Sequence, residues 1–400
     1  MTARTFPLRG LALAAAVVVL AAILLRVLGG GEPRSPRATL ALLETLGGDD
    51  TAGHARATEP QPFTFPRDYG PHPAFRTEWW YITGNLDGES GERFGWQLTF
   101  FRSALSAAMP ERATPWATRQ AWMAHFALTD GSRDRHHAFE RFSRGALGLA
   151  GARAAPFRVW LDAWTLESDT STGTFFPLRA VAAAGDIAVD LVLADAKPLV
   201  AQGDRGLSRK GNASGNASFY WSFTRIPTTG SVRVDGREVR VSGDSWLDRE
   251  WSTSALADGI AGWDWFALQL DDATELMFYR LRRDDGTTDR FSAGTWVDSR
   301  GSARHLDADD VSIEVLATWR SPLDDAGYPA RWRLRVPVLE LDLVVTPIVA
   351  NQELNVSIRY WEGAADVGGE RGGAPVRGRA YVELTGYGAS TGTRTIERAR

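Results

Sequence analysis

Ser231-Val232-Arg233-Val234-Asp235-Gly236-Arg237-Glu238-Val239-Arg240-Val241 decides the fold class. Valine alternates with polar residues on both sides of Asp235-Gly236. Successive side chains on a strand point to opposite faces, so each arm has one apolar and one polar side. Asp-Gly tolerates the two positive-φ positions of a two-residue hairpin turn. The stretch therefore reads as an antiparallel hairpin. Short alternating stretches recur on either side of it, at 77–84, 95–101, 123–129, 157–166, 187–193, 264–270 and 275–281. From Phe63 onward no long segment keeps a 3.6-residue apolar period. The reading is all-β, of sandwich or barrel type.

Composition agrees. The 400 residues are 44% hydrophobic and 24% charged, with 40 glycines and 16 tryptophans. Aromatic residues favour strands, and glycines serve turns. The net charge is −4, and all but two of the 45 basic residues are arginine, the lysines being Lys197 and Lys210. These arginines are interspersed with acids, whereas a nucleic-acid binder concentrates its basic charge in a stripe. The absence of cysteine excludes disulfides, thiol catalysis and cysteine-based metal sites.

Arg4 and Arg9 precede an apolar run, GLALAAAVVVLAAILL, over residues 10–25. As a helix the run would rise about 24 Å, somewhat under the span of the roughly 20 residues that cross a membrane. Residues 1–28 read as a signal anchor or a signal peptide, and either leaves the remainder extracytoplasmic, on the periplasmic side. Residues 29–61 read as a flexible tether.

The rest reads as a duplication. Glu78-Trp79-Trp80-Tyr81 matches Asp264-Trp265-Phe266, and Phe100-Phe101-Arg102 matches Phe278-Tyr279-Arg280. Ala121-Trp122-Met123 matches Gly294-Thr295-Trp296, and Tyr220-Trp221 matches Tyr360-Trp361. The string from Val241 to Asp248 matches that from Val376 to Glu383, and the stretch ending in Gln202 matches the one ending in Gln352. All occur in the same order in both halves. Two tandem barrels are expected, at 62–255 and 256–392, each with room for about eight strands, the number that closes a small ligand-holding barrel.

Three strings carry a family resemblance: Phe65-Pro66-Arg67-Asp68-Tyr69-Gly70-Pro71-His72-Pro73, Thr77-Glu78-Trp79-Trp80-Tyr81-Ile82-Thr83-Gly84-Asn85-Leu86 and Trp246-Leu247-Asp248-Arg249-Glu250-Trp251-Ser252. The chain resembles the bacterial carotenoid 1,2-hydratase-like family, also known as predicted secreted hydrolases, over about residues 62–392. The resemblance implies two tandem lipocalin-like antiparallel β-barrels and an extracytoplasmic location. The hydratases add water across the terminal double bond of an acyclic carotenoid and carry His-x-Trp, then Tyr-x-Asp. The matching positions here are Phe219-Tyr220-Trp221 and Trp246-Leu247-Asp248. Trp221 and Asp248 keep the pattern, while Phe219 and Trp246 replace its histidine and tyrosine.

Two readings of the residues stay open. On a strand, Trp246, Asp248 and Glu250 face one way and Leu247, Arg249 and Trp251 the other. Asp248, Arg249, Glu250 and Trp251 then form a structural ion-pair cluster, or Asp248 is a proton donor kept neutral by an apolar cavity. Trp221 and Trp246 would stabilise a cation through their ring faces, and Phe219 and Tyr220 join them as ligand contacts. Glu78-Trp79-Trp80 and Asp264-Trp265 are expected to plug the ends of the two barrels, paired with distant arginines. His125 is a structural histidine or a polar anchor in the first cavity. No metal spacing, Walker string or G-x-S-x-G nucleophile motif occurs, so neither metal nor cofactor is expected. The leading expectation is a carrier of an apolar lipid or isoprenoid, tethered to the membrane. The alternatives are a hydratase-like lyase acting through Asp248, and an envelope-assembly partner with plugged barrels, for which an export transporter is a candidate associate.

Overall fold

In the computed structural model the chain is described over residues 51–108, 114–195, 197–254 and 256–388. The apolar run at 10–25 and most of the expected tether lie outside these residues. Among the described residues no helix is long and apolar enough to cross a membrane. All of them belong to one packed unit, residues 39–400.

The first sheet takes β1 (Thr77–Gly88), β2 (Arg93–Ala104), β3 (Gln120–Asp130), β4 (Arg135–Arg144), β5 (Ala150–Ala154), β6 (Phe157–Leu161), β7 (Trp164–Ser168), β8 (Leu178–Ala184), β9 (Ile187–Leu193), β10 (Val200–Ala201), β11 (Leu207–Arg209), β12 (Ala217–Val234) and β13 (Arg237–Ser252). The second takes β14 (Ile260–Leu270), β15 (Glu275–Arg283), β16 (Ala293–Val297), β17 (Ala303–Asp307), β18 (Ser312–Arg320), β19 (Gly327–Val336), β20 (Leu341–Pro347), β21 (Glu353–Asn355), β22 (Arg359–Arg371) and β23 (Ala374–Leu384). Every ladder is antiparallel and neighbours are mostly consecutive. Two departures are common to both sheets: the first strand pairs with the last, β1 with β13 and β14 with β23, and the penultimate strand pairs past the short strands before it, β12 with β9 and β22 with β20.

The all-β lipocalin-like reading holds. The hairpin at its centre turns at Asp235 (φ 50°) and Gly236 (φ 71°), with Val234 opposite Arg237. The stretch expected as a single strand at 157–166 is two, because Asp162 turns the chain at φ 52°. The two expected barrels are two curled, near-barrel antiparallel sheets. In the first, the hydrogen-bonded path runs from β4 to β5 without joining them. Side chains bring β4 against β7 and β8: Arg141 lies 4.5 Å from the Trp164 ring centroid, and its Nη2 donates to the Ala183 carbonyl (3.3 Å).

Each curled sheet is filled from within. Trp80, Trp96, Trp122, Trp164, Trp221 and Trp251 pack in the first core with Phe94, Phe100 and Phe126. Trp296, Trp332 and Trp361 pack in the second with Phe266 and Phe278. Residues 54–57, in the segment read as tether, sit on the first sheet: Ala57 is fully buried, and Ala55 N donates to the Ala74 carbonyl (2.9 Å).

Burial along the strands locates the contact between sheets. The tip of β13 alternates buried and exposed, but from Ser245 to Ser252 every residue is buried. A strand buried on both faces must be covered on both sides. Here the second sheet supplies the outer cover, through a cluster that includes Tyr81, Tyr220, Trp246, Trp265, Met277, Ala364 and Tyr381. The polar groups in this layer are exchanged reciprocally. Thr129 Oγ1 donates to Gln352 Oε1 (2.8 Å), and Thr295 Oγ1 donates to Gln202 Oε1 (2.6 Å). The two glutamines end the matched strings of the duplication, and each accepts from the opposite sheet.

At Gly95 the sheets meet most closely, since a Cβ there would fall 2.5 Å from Ala364 Cβ. Gly95→Val should lower stability by about 1–3 kcal/mol through overpacking. Chemical denaturation measures it, and Ala364→Gly in the same chain should restore part of the loss. An unchanged denaturation midpoint would contradict this contact.

Candidate functional site

A cleft enclosing about 150 Å³ lies between the outer faces of the two sheets, not inside either. Alternation on the strands explains its walls. On β1, Trp80 and Ile82 enter the first core, so Trp79 and Tyr81 face outward. On β13, Leu247 and Trp251 enter the core, so Trp246, Asp248 and Glu250 face outward. The second sheet contributes Trp263 and Trp265 from β14, Tyr279 from β15, Tyr360 and Glu362 from β22, and Glu383 from β23.

The duplication is visible in this lining. In β12–β13, Trp221 enters its core, Tyr220 faces the cleft, and Ser222 lies opposite Asp248. In β22–β23, Trp361 enters its core, Tyr360 faces the cleft, and Glu362 lies opposite Glu383. Corresponding hairpins thus present the same faces to each other, with Asp248 on one wall and a carboxyl pair on the other.

Asp248 is 3% exposed and has no basic partner within ion-pair distance among the described residues. Three donors converge on it: Tyr220 Oη on Oδ2 (2.5 Å), and Ser222 Oγ (2.6 Å) and Trp246 Nε1 (2.6 Å) on Oδ1. Each hydroxyl is itself held, since Gln202 Nε2 donates to Ser222 Oγ (2.8 Å) and Trp265 Nε1 to Tyr220 Oη (3.3 Å). Burial pushes the carboxyl up, the three hydrogen bonds pull it down, and burial wins, leaving it at about 7. Such a group gives and takes a proton near neutrality.

The opposite wall is acidic too. Burial holds Glu362 well above the usual carboxylate range, and the Glu383 charge beside it adds to this. Glu383, partly exposed to the cleft, accepts from Trp263 Nε1 (2.8 Å), and burial raises it to about 8. Glu250 is bonded by Ser218 and lies 3.7 Å from Lys210 Nζ, which sits 3.6 Å from the Tyr279 ring centroid.

The expected ion-pair residues divide. Glu78 is fully buried between Arg102 and Arg249; burial raises its carboxyl, but the two guanidiniums outweigh this and hold it well below the usual range. Arg249 also lies 3.8 Å from the Trp80 ring centroid, and His72 stacks on Trp251 at 3.8 Å. Asp264 repeats the arrangement with Arg280, Arg282 and Tyr387. Arg249 therefore belongs to Glu78 and not to its neighbours Asp248 and Glu250. Glu78, Trp80, Arg249, Trp251 and Asp264 lie on the core side, whereas Trp79, Glu250 and Trp265 line the cleft.

The expected ligand contacts divide as well. Tyr220 and Trp246 gather around Asp248. Trp221 and Phe219 point into the filled first core. His125 lies between the sheets, its Nδ1 2.8 Å from Tyr360 Oη, and burial lowers it to about 3, so it is neutral. Sequence reasoning did not single out Tyr81, Trp263, Tyr279, Tyr360, Glu362 or Glu383 as site residues. The match of Asp248 with Glu383 in the duplication was the signal that reached the second wall. Among the described residues no cluster of metal-ligating side chains occurs.

The sequence profile of a family described as AttH-like matches residues 56–387. No curated protein matches significantly by sequence. The crystal structure of a protein described as an AttH from Nitrosomonas europaea is 35% identical and covers 84% of this chain and 100% of its own, with a TM-score of 0.73. Kievitone hydratase from Nectria haematococca is 15% identical, covering 83% of this chain and 96% of its own at a TM-score of 0.63. CghA with Sch210972 is 13% identical, covering 86% and 98% at a TM-score of 0.50. These last two share the fold.

A carboxyl raised on folding stabilises the native state fully below its unfolded value, and loses that contribution as pH rises through its folded value. For Asp248 the window runs from about 4 to about 7. Asp248→Asn cannot ionise, so its thermal midpoint should gain on the wild type's as pH rises from 4 to 8. Parallel curves for the two proteins would contradict the raised Asp248.

Proposed function

The chain belongs to the AttH-like family, and on that premise we propose that it binds an apolar small molecule in the cleft between its sheets, with Asp248 exchanging a proton with the bound molecule. One observation carries this reading: an acid poised near neutrality stands in the wall of an aromatic cleft, bonded by Tyr220, whose hydroxyl in turn accepts from Trp265 of the second sheet. The enclosed space, about 150 Å³, matches a cavity that accepts one benzene molecule. A larger lipid or isoprenoid would lodge one end group there and leave the rest outside the cleft. The basic and apolar start of the chain supports export and attachment to the cytoplasmic membrane, where such a ligand partitions.

A second reading, a hydratase-like lyase, is favoured by the same acid. Protonated Asp248 would give its proton to the less substituted carbon of a terminal isoprenoid C=C bond. The tertiary cation formed would lie near the rings of Trp79 and Trp265. Water would then add to the cation and return one proton to the carboxylate, so the net change is addition of H2O. The structural likeness to kievitone hydratase supports this at the level of fold. Trp246 stands where the hydratase pattern carries tyrosine, and its indole N–H supplies a donor to Asp248.

Native mass spectrometry of protein purified in mild detergent should reveal a bound apolar molecule, lost in Trp265→Ala. A bare wild-type protein after exposure to lipid extract would overturn the binding reading. Incubation with an acyclic carotene should yield a tertiary alcohol, at a rate about 100-fold or more lower in Asp248→Asn. Undiminished turnover in that variant would remove Asp248 as the acid.

A further inference from the structure

Buried charges in this molecule follow one rule, and the cleft breaks it. Asp68 meets Arg67 and His72, and Glu78 meets Arg102 and Arg249. Asp130 meets Arg133, Asp264 meets Arg280 and Arg282, and Asp289 meets Arg283. Glu275 meets Lys197 and Arg225, Glu353 meets Arg359, and Glu250 meets Lys210. Asp248 lacks a cation but has three hydrogen-bond donors. Glu362 also lacks a cation: it is 1% exposed, and the groups beside its carboxyl are the Tyr81 and Tyr360 hydroxyls, which favour its charged form less than burial opposes it. Its cross-strand partner is a second acid, Glu383, whose one hydrogen bond comes from Trp263.

Two carboxyl groups side by side repel when ionised, and a buried unpaired carboxylate is costly. A protein interior keeps such a pair when it holds a proton or when a positive charge arrives. Here the pair opens on the ligand cleft, among Tyr81, Trp263, Trp265 and Tyr360. Aromatic faces beside carboxylates make a site for organic cations. The nearest basic side chain lining the cleft, Lys210, is engaged with Glu250 and the Tyr279 ring.

We propose that Glu362 and Glu383 form a subsite for a positively charged nitrogen at the buried end of the ligand. This rests on the reading of the cleft as the binding site and deepens it by naming the ligand's end group as an ammonium. The pair then completes the charge pattern seen elsewhere in the molecule, with the cation supplied from outside.

Two probes with the same number of heavy atoms separate the claims: benzylammonium, a cation at the pH used, and neutral benzyl alcohol. Binding to the full chain is followed by tryptophan fluorescence and calorimetry at one pH near 8.5. The cation should bind at least tenfold more tightly than the alcohol. Glu362→Gln and Glu383→Gln should each reduce cation affinity at least tenfold and reduce the preference for the cation over the alcohol with it. Equal affinities in the wild type, or a cation affinity unmoved by both substitutions, would overturn the subsite while leaving the cleft as the binding site. Failure of both probes to bind would overturn the two together.

Discussion

The central strands are buried on both faces, and the remaining architecture follows from that constraint. A strand alternates its side chains, so one set of residues fills the curled sheet and the other must be covered from outside. In β1 the first set includes Trp80 and Ile82, and the second Trp79 and Tyr81. Indoles and other large side chains pack the inside of both sheets. The outer sets meet between the sheets, where rings and acids leave a gap. The cleft thus arises where the two sheets cover each other's outer faces.

Electrostatics divide along the same boundary. On the core side, acids of β1 and β14 are clamped by arginines, Glu78 by Arg102 and Arg249, Asp264 by Arg280 and Arg282. Arg102 and Arg280 are the direct cross-strand partners of those acids, so the clamp is written into strand register. Breaking such a buried pair is strongly destabilising because it strands a charge. On the cleft side, burial outweighs the stabilisation of charge at Asp248, Glu362 and Glu383. The first arrangement holds the sheets in shape, and the second holds protons available.

Much of this was legible in the amino-acid order. Asp235-Gly236 demanded its turn, and the split of Trp246, Asp248 and Glu250 from Leu247, Arg249 and Trp251 follows from a period of two. The ordered matches between halves led to the paired hairpins. The location of the ligand space was not legible, for a physical reason. Alternation reveals two faces but not which is covered by what, and Trp221 and Trp246 look alike as apolar rings. Pairing between distant strands was equally hidden: Arg249 adjoins Asp248 and Glu250 in sequence, yet its guanidinium serves Glu78, across the β1–β13 ladder. Glu362 stayed unnoticed because the matching position in the first half is Ser222, so nothing marked it as an acid in a wall.

The central claim is that the guest space lies between the sheets. Crystals soaked with bromobenzene test it most directly, since anomalous scattering locates the bromine without ambiguity. The account places that signal in the gap bounded by Asp248, Trp265 and Glu362. A bromine peak on the axis of either curled sheet, against Trp221 or Trp361, would contradict it.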